Sequence, residues 1–124
     1  MQLNKVLIID DSEADQFLAS STIKKFDPNI EIFTAYDGEE ALELLDQMSE
    51  QPDAIFLDIN MPVMDGHEFL KAYSQKNTHA AVVIMLTSSD QTKDTESASA
   101  YDFVKKYLTK PLTVDHMQEI KEAL

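Results

Sequence analysis

The chain has 124 residues, enough for one domain with a single hydrophobic core and too few for two comfortable ones. Its 10 basic and 23 acidic side chains give a formal net charge of -13, which argues against nucleic acid or an anionic membrane as partner and favours another protein. The absence of cysteine excludes disulfides and thiolate metal sites. No apolar stretch approaches the ~18 residues that a helix needs to span a bilayer. We expect a soluble, cytoplasmic protein whose residues 1–124 form one domain without an output domain.

Apolar runs rich in β-branched residues alternate with segments of helical period along the chain, a pattern typical of βαβ units and a parallel sheet. The predicted strands, in chain order, are Val6–Asp10, Glu31–Tyr36, Ala54–Asp58, Ala81–Thr87 and Lys106–Thr109. The helices predicted to follow them are Glu13–Phe26, a segment opening at the Asp37-Gly38 turn, Gly66–Gln75, Ser88–Lys105 and Val114–Leu124. The pattern therefore predicts a single α/β domain.

Each helix is predicted to turn an apolar face toward the sheet. These faces carry Ala14, Phe17, Leu18 and Ser21 in the first helix; Ala41, Leu42, Leu44, Leu45 and Met48 in the second; Phe69, Leu70 and Tyr73 in the third; and Val114, Met117, Ile120 and Leu124 in the last. The segment Ser88–Lys105 is the weakest element, because its large apolar residues lie only near its end. We expect it to be poorly anchored to the core.

Four apolar runs each end in a residue suited to binding a phosphoryl group or a metal ion, namely Asp10, Asp58, Thr87 and Lys110. Ligands of open α/β sheets bind outside the carboxyl ends of the strands, so these residues are predicted to converge there. Together with Asp11, the two strand-end aspartates make three carboxylates, a set that suits Mg²⁺ with water and a phosphate oxygen. The sequence predicts an acidic pocket with a hydroxyl and an ammonium on its rim.

Each of these residues also has a purely structural explanation. Asp10 and Asp11 suit the start and cap of a helix, and Asp58 suits a turn at the end of a strand. Thr87 suits the start of a helix, and a lone lysine such as Lys110 is ordinarily a solvated surface residue. The functional interpretation depends on their occurring together, in order, at the same ends of successive strands.

The sequence around these positions is specific. Residues 56–66 read FLDINMPVMDG, residues 86–89 read LTSS and residues 107–112 read YLTKPL, with the Asp10-Asp11 pair before them. In this combination the chain resembles, over essentially its whole length, the receiver domain of two-component response regulators. The resemblance implies a doubly wound parallel sheet of strand order 2-1-3-4-5 flanked by five helices.

For function, the resemblance implies phosphorelay signalling rather than enzymatic turnover, because such a domain catalyses only its own phosphorylation and dephosphorylation. Asp58 would accept a phosphoryl group from a histidine kinase or a histidine phosphotransfer protein. Mg²⁺ would be held by Asp10, Asp11, Asp58 and the backbone carbonyl of Asn60. The phosphoryl oxygens would be bound by Thr87 and Lys110.

The resemblance also implies a switch and an output surface. Thr87 and Tyr107 would act as the switch. A downstream protein target would bind the face formed by Ser88–Lys105, the last strand and the last helix. The Lys110-Pro111 peptide bond is expected to be cis, as X-Pro bonds permit at little cost.

The chain departs from the family's pattern at one place. Receivers commonly carry a small pair, often Gly-Ala, shortly before the fifth strand, whereas Phe103 and Val104 stand there in this chain. Neither of its 2 glycines, Gly38 and Gly66, lies in that loop. We therefore expect the departure to affect the local backbone and the output face, and to leave the acceptor site untouched.

Other functions require features that the sequence lacks. A phosphorylation-independent pseudo-receiver that serves as a docking module would normally lack an acid, the hydroxyl or the lysine. A hydrolase with an aspartate nucleophile would need two acids one residue apart at the first strand, and a cap domain. A flavin carrier would need a hydroxyl-rich and glycine-rich loop in place of Asp-Asp-Ser-Glu. An EF-hand calcium loop would need glycine where Val63 stands.

Overall fold

The computed structural model describes residues 2–59, 61, 63–76, 81–87 and 101–123 of the chain. Its strands are β1 (Lys5–Ile9), β2 (Glu31–Ala35), β3 (Ala54–Leu57), β4 (Val82–Thr87) and β5 (Val104–Thr109). The helices within the described residues are α1 (Glu13–Phe26), α2 (Gly38–Gln47), α3 (Gly66–Ser74) and α4 (Val114–Ala123). None of these helices is long and apolar enough to cross a membrane.

The strands form one parallel sheet in the order β2-β1-β3-β4-β5, which confirms the predicted α/β fold and strand order. The central strands β1 and β3 are almost completely buried, as expected for strands covered by helices on both faces. The edge strand β5 alternates between half-buried and exposed residues. Because all strands run in the same direction, their carboxyl ends lie along one edge of the sheet.

Successive residues of each central strand enter different halves of the hydrophobic core, because side chains alternate across a strand. Leu7 and Ile9 of β1 pack with α2 and α3, which confirms the predicted faces of those two helices. Val6 and Ile8 pack with α1 and α4 on the other side. The sheet thus separates two apolar clusters, one on each of its faces.

The predicted inner face of α1 is wrong. Phe17 and Leu18 are 70% and 55% exposed, and Ala14 and Ser21 are exposed as well. The buried residues of α1 are instead Gln16, Ala19 and Ile23. Gln16 can be buried because its side-chain amide donates to the backbone carbonyls of Asp10 at 2.8 Å and Ala35 at 2.7 Å. Side-chain hydropathy alone could not reveal that a polar residue lies on the inner face.

The end of the segment predicted as a helix over Ser88–Lys105 also differs from expectation. Val104 and Lys105 belong to β5, while residues 88–100 lie outside the described residues. Phe103 is only 8% exposed, and its ring packs edge-on against Tyr73 with 5.3 Å between centroids. The residues next to β5 are therefore well anchored, since the core accommodates a bulky side chain where receivers commonly have a small one.

Helix α4 packs through Met117 and Ile120, which are fully buried as predicted. Val114 is 38% exposed, contrary to prediction, because it is the first residue of the helix and precedes the buried turns. Leu124 lies outside the described residues. The helix therefore contributes a shorter apolar face than its sequence pattern indicates.

Candidate functional site

Four of the predicted site residues lie at the carboxyl edge of the sheet, held by backbone hydrogen bonds that continue the strand ladders. Asp10 follows β1, and its N–H donates to the last carbonyl of β2 at 3.0 Å. Asp58 follows β3, and its N–H donates to the last carbonyl of β1 at 3.0 Å. Lys110 follows β5, and its N–H donates to the carbonyl of Thr87 at 2.6 Å. The sheet thus brings together residues up to 100 positions apart.

The three predicted aspartates form one cluster, in which a carboxylate oxygen from each of Asp10, Asp11 and Asp58 lies within 4.8 Å of the others. Asp10 and Asp58 are buried, whereas Asp11 is exposed. Three oxygen donors with one side open to water fit Mg²⁺, which prefers carboxylates, water and phosphate oxygens. The fourth predicted ligand, the carbonyl of Asn60, lies outside the described residues.

The Lys110 ammonium lies among three carboxylates. Its Nζ is 2.6 Å from Oδ2 of Asp10, 2.8 Å from Oδ2 of Asp15 and 3.4 Å from Oδ2 of Asp58. The lysine side chain is 14% exposed, far from the solvated state that is ordinary for a lysine. The ammonium is therefore a component of the acidic pocket, and the solvated-surface explanation of Lys110 is wrong.

Burial and charge oppose each other in the pocket. Burial raises the pKa of the Asp58 carboxyl above its ordinary value of 3.8, the Lys110 ammonium partly offsets that rise, and the Asp10 charge adds to it. Burial would lower the pKa of Lys110, but hydrogen bonds to Asp10 and Asp15 raise it above the ordinary value. Lys110 is thus held as a cation, and it supports the ionised form of Asp58.

The cap of α1 is Ser12, so the helix-cap explanation of Asp10 and Asp11 does not hold. The Ser12 hydroxyl accepts a hydrogen bond from the N–H of Asp15 at 3.2 Å. Oδ1 of Asp10 accepts the N–H of Ser12 at 2.9 Å, while Oδ2 of Asp10 contacts Lys110. The Asp10 carboxylate is therefore oriented from both sides, by the loop backbone and by the ammonium.

Thr87 and Tyr107, the predicted switch residues, lie on neighbouring strands. Thr87 ends β4 with a half-buried side chain. Tyr107 lies within β5, pairs in register with Met85 of β4 and is 37% exposed. The Lys110-Pro111 peptide bond is cis, as predicted. The roles of the two switch residues stay predictions.

This arrangement of a parallel sheet, three acids and a lysine can be compared with known families. The sequence model of the response regulator receiver domain matches residues 6–122. The chain belongs to the response regulator receiver domain family. The resemblance inferred from the sequence motifs is thereby confirmed, and it extends over nearly the whole chain.

Relatives of this receiver differ widely in length. It is 34% identical over 122 residues to a probable chemotaxis protein CheY of Rhizobium etli, covering 97% of this chain and 91% of that protein. It is 30% identical over 115 residues to the sensor histidine kinase CheAY of Helicobacter pylori, covering 93% of this chain but only 14% of the longer protein. The crystal structure of a two-component response regulator from Cytophaga hutchinsonii matches with a TM-score of 0.89 and 29% identity, covering 99% and 97% of the two chains.

The end of the loop between β3 and α3 packs directly against the backbone of Asp58. The Gly66 N–H donates to the Ile59 carbonyl at 2.8 Å, and a Cβ on Gly66 would lie 2.8 Å from both the Asp58 carbonyl oxygen and the Ile59 Cα. Val63 in the same loop has a φ of 67°, a left-handed conformation that costs a side-chain-bearing residue about 1–2 kcal/mol. The loop thus accepts local strain and requires glycine where it meets Asp58.

Two residues of α1 complete the receiver site although no motif marks them. Gln16 ties the backbone of Asp10 to the end of β2, and Asp15 contacts the Lys110 ammonium. Residues 16, 19 and 23 have the spacing of one helical face. Gln16 could have been predicted as buried if a polar residue had been accepted on that face. Asp15 carries no local signal, because its partner lies 95 positions away.

Proposed function

We propose that this receiver is the phosphoacceptor of a phosphorelay. Asp58 accepts a phosphoryl group from a histidine kinase or a histidine phosphotransfer protein, and the modified domain changes its contacts with a downstream protein. Receiver domains are signalling domains of two-component systems. The assignment to Asp58 is supported by the convergence of its buried carboxylate with two further carboxylates and the Lys110 ammonium. A single domain over residues 1–124 and a cytoplasmic location remain part of this proposal.

Each side chain has a chemical task in the transfer. Asp58 must be ionised for one of its oxygens to attack phosphorus while the bond to the donor's imidazole nitrogen breaks, leaving an acyl phosphate. Lys110 stabilises that ionised form and, with Thr87, would bind the phosphoryl oxygens. A charge pair ~4 Å apart is worth about 4 kcal/mol at an effective dielectric near 20. Asp10 and Asp11 would hold Mg²⁺ with Asp58, and such an ion would supply positive charge to offset the negative charge of the transferring group.

Replacing Asp58 with asparagine is expected to abolish Mg²⁺-dependent self-phosphorylation from a small donor such as acetyl phosphate. The amide keeps the size of the side chain but cannot form the acyl phosphate. Intact-mass spectrometry of the wild type and Asp58→Asn, after incubation with acetyl phosphate with and without Mg²⁺, measures the adduct. We expect a phosphoryl adduct on the wild type alone, and only in the presence of the metal.

Two controls make this experiment decisive. Because burial raises the pKa of the Asp58 carboxyl, the neutral amide is not expected to destabilise the domain, so we do not expect unfolding to account for a lost adduct. Asp53→Asn changes an aspartate at the opposite end of β3 and should be labelled like the wild type. Equal labelling of the wild type and Asp58→Asn contradicts the proposal. A folded wild type that takes up no phosphoryl group favours the docking-module alternative.

The proposed readout lies on the face predicted from Ser88–Lys105, the last strand and the last helix, of which β5 and α4 belong to the described residues and residues 88–100 do not. A phosphoryl group on Asp58 would draw the Thr87 hydroxyl toward it, and Tyr107 would turn inward into the space that Thr87 leaves. Such a small repacking between two discrete arrangements is typical of signalling switches. Tyr107 and Val114, both more than a third exposed, give this face apolar groups for contact with a protein partner.

Beryllofluoride with Mg²⁺, a mimic of the phosphoryl group on a carboxylate, is expected to change amide hydrogen exchange in β5 and α4 as well as around Asp58. The reason is that repacking of Tyr107 changes how often the neighbouring backbone opens. Exchange measured by mass spectrometry on the wild type and Asp58→Asn separates specific from general effects. Changes restricted to the surroundings of Asp58 would show that the proposed switch is wrong.

A further inference from the structure

We propose that Asp15 is a positioning residue that keeps the Lys110 ammonium in the pocket when a divalent cation binds the acid cluster. This inference rests on the proposed function, since it concerns the same acceptor site. Asp15 belongs to none of the motifs that define the site, and it lies outside the cluster of Asp10, Asp11 and Asp58. Its role follows from its contact with the lysine.

The ammonium and a metal ion need the same carboxylates. Lys110 Nζ contacts Asp10 at 2.6 Å and Asp58 at 3.4 Å, and both of these aspartates are candidate metal ligands. A cation bound to the cluster would repel the ammonium and compete with it for the same carboxylates. Binding of the metal therefore weakens two of the three carboxylate contacts of Lys110, and the contact with Asp15 at 2.8 Å is left.

The surroundings of the ammonium explain why it would need Asp15 as a partner once a metal ion is bound. The cleft beside Lys110 is lined by Asp15 and by the apolar side chains of Leu18, Ala19, Leu86, Pro111 and Leu112. An ammonium displaced into this cleft without a partner would be costly, because apolar walls cannot replace its hydration. Asp15 offers it a charged partner there, and so favours the state in which metal and lysine are both bound near Asp58.

The position of Asp15 is well defined by α1. Its N–H donates to the hydroxyl of the Ser12 cap, so the residue is fixed in the first turn of the helix. Its side chain is 39% exposed, so the carboxylate stays in contact with water while it holds the lysine. The helix thus places next to the ammonium a carboxylate that is not part of the cluster of Asp10, Asp11 and Asp58.

The test is the Mg²⁺ affinity, measured by isothermal titration calorimetry, of the wild type, Asp15→Asn, Lys110→Met and the double variant. In the presence of Lys110, Asp15→Asn is expected to weaken Mg²⁺ binding by about three- to fivefold, the range of a partly exposed ion pair. With methionine at position 110 the same change should alter the affinity by less than about twofold. Asp15→Glu, which keeps the charge, should restore part of the loss.

This design separates positioning from simple attraction through space. If Asp15 only attracted the cation, its removal would matter more without Lys110, because no ammonium would then neutralise it. Glu13→Gln removes the same charge from the same helical turn, where Glu13 is exposed, and should change the affinity by less than about twofold. If Lys110→Met does not fold, Lys110→Gln replaces it in the cycle.

The outcomes distinguish this inference from the proposed function. The positioning role is overturned if Asp15→Asn binds Mg²⁺ as tightly as the wild type or more tightly. It is also overturned if Asp15→Asn weakens Mg²⁺ binding equally with and without Lys110. These results leave the proposed acceptor site intact. A wild type that binds no Mg²⁺ overturns the metal site itself and the inference with it. Asp15→Asn should in addition keep the wild-type thermal stability to within a few degrees, since the other contacts of α1 remain.

Discussion

Replacing Lys110 with methionine is expected to destabilise the domain by roughly 2–3 kcal/mol at neutral pH, below the ~3–5 kcal/mol of a fully buried pair. The ammonium contacts Asp10 and Asp58, whose side chains are 5% and 9% exposed, so its loss leaves buried negative charge uncompensated. Methionine keeps the unbranched apolar stem of the lysine. Denaturant unfolding of the two proteins under the same conditions measures the difference in unfolding free energy.

The size of this loss should depend on pH. Burial would lower the pKa of Lys110 but hydrogen bonds to Asp10 and Asp15 raise it, so its contribution is fully present below the ordinary value of 10.5 and is lost only above the raised value. Burial raises the pKa of Asp58 and Lys110 opposes that rise, so the variant takes up a proton on Asp58 at a higher pH than the wild type does. The difference in stability should be full at neutral pH and shrink in acid.

Lys106→Met is the matched control for Lys110→Met. It removes the same charge from β5, where Lys106 pairs with Glu119 at 3.4 Å, and the two side chains are 29% and 56% exposed. Because surface ion pairs contribute little, the control should change stability by less than about 1 kcal/mol. Equal losses of unfolding free energy in the two variants would show that the contacts of Lys110 do not stabilise the pocket. A loss in Lys110→Met that stays the same in acid would contradict the predicted pH dependence.

Replacing Gly66 with alanine is expected to cost roughly 3 kcal/mol of unfolding free energy, the upper part of the range for overpacking. The added Cβ would lie 2.8 Å from the Asp58 carbonyl oxygen and 2.8 Å from the Ile59 Cα, and these backbone atoms cannot rotate away. Relief requires the backbone at Asp58 and Ile59 to move, so self-phosphorylation, which we propose to occur on Asp58, should fall together with stability. Thermal unfolding and the acetyl phosphate reaction measure the two effects.

Gly38→Ala provides the comparison, because Gly38 also begins a helix and is the other glycine of the chain. Its Cβ would meet mainly the Cγ and Sδ atoms of Met64, at 2.8 and 2.9 Å, which belong to a flexible side chain. We expect a loss near 1 kcal/mol and normal phosphorylation, since methionine adapts to such changes. Similar losses in the two variants would mean that the loop at Asp58 is less tightly packed than the distances indicate.

Local patterns in the sequence were sufficient for the fold and for most of the pocket. The continuous apolar runs of β1, β3 and β4 are long enough to specify buried parallel strands, and the residue after each run then falls at the carboxyl edge. The convergence of Asp10, Asp58 and Lys110 follows from that topology alone. The boundaries shifted slightly, because Asp10 and Asp58 lie just beyond the strands that were predicted to contain them.

Only the tertiary structure decided which face of α1 is buried and which of its polar residues serve the pocket. Hydrophobic periodicity favoured the stripe with Phe17 and Leu18, yet the helix buries Gln16, whose amide donates to the carbonyls of Asp10, just after β1, and Ala35, the last residue of β2. Asp15 joins the site through a lysine 95 positions later. Local patterns register the polarity of a side chain, whereas the partners that make a buried polar group or an ion pair favourable are supplied by distant parts of the chain.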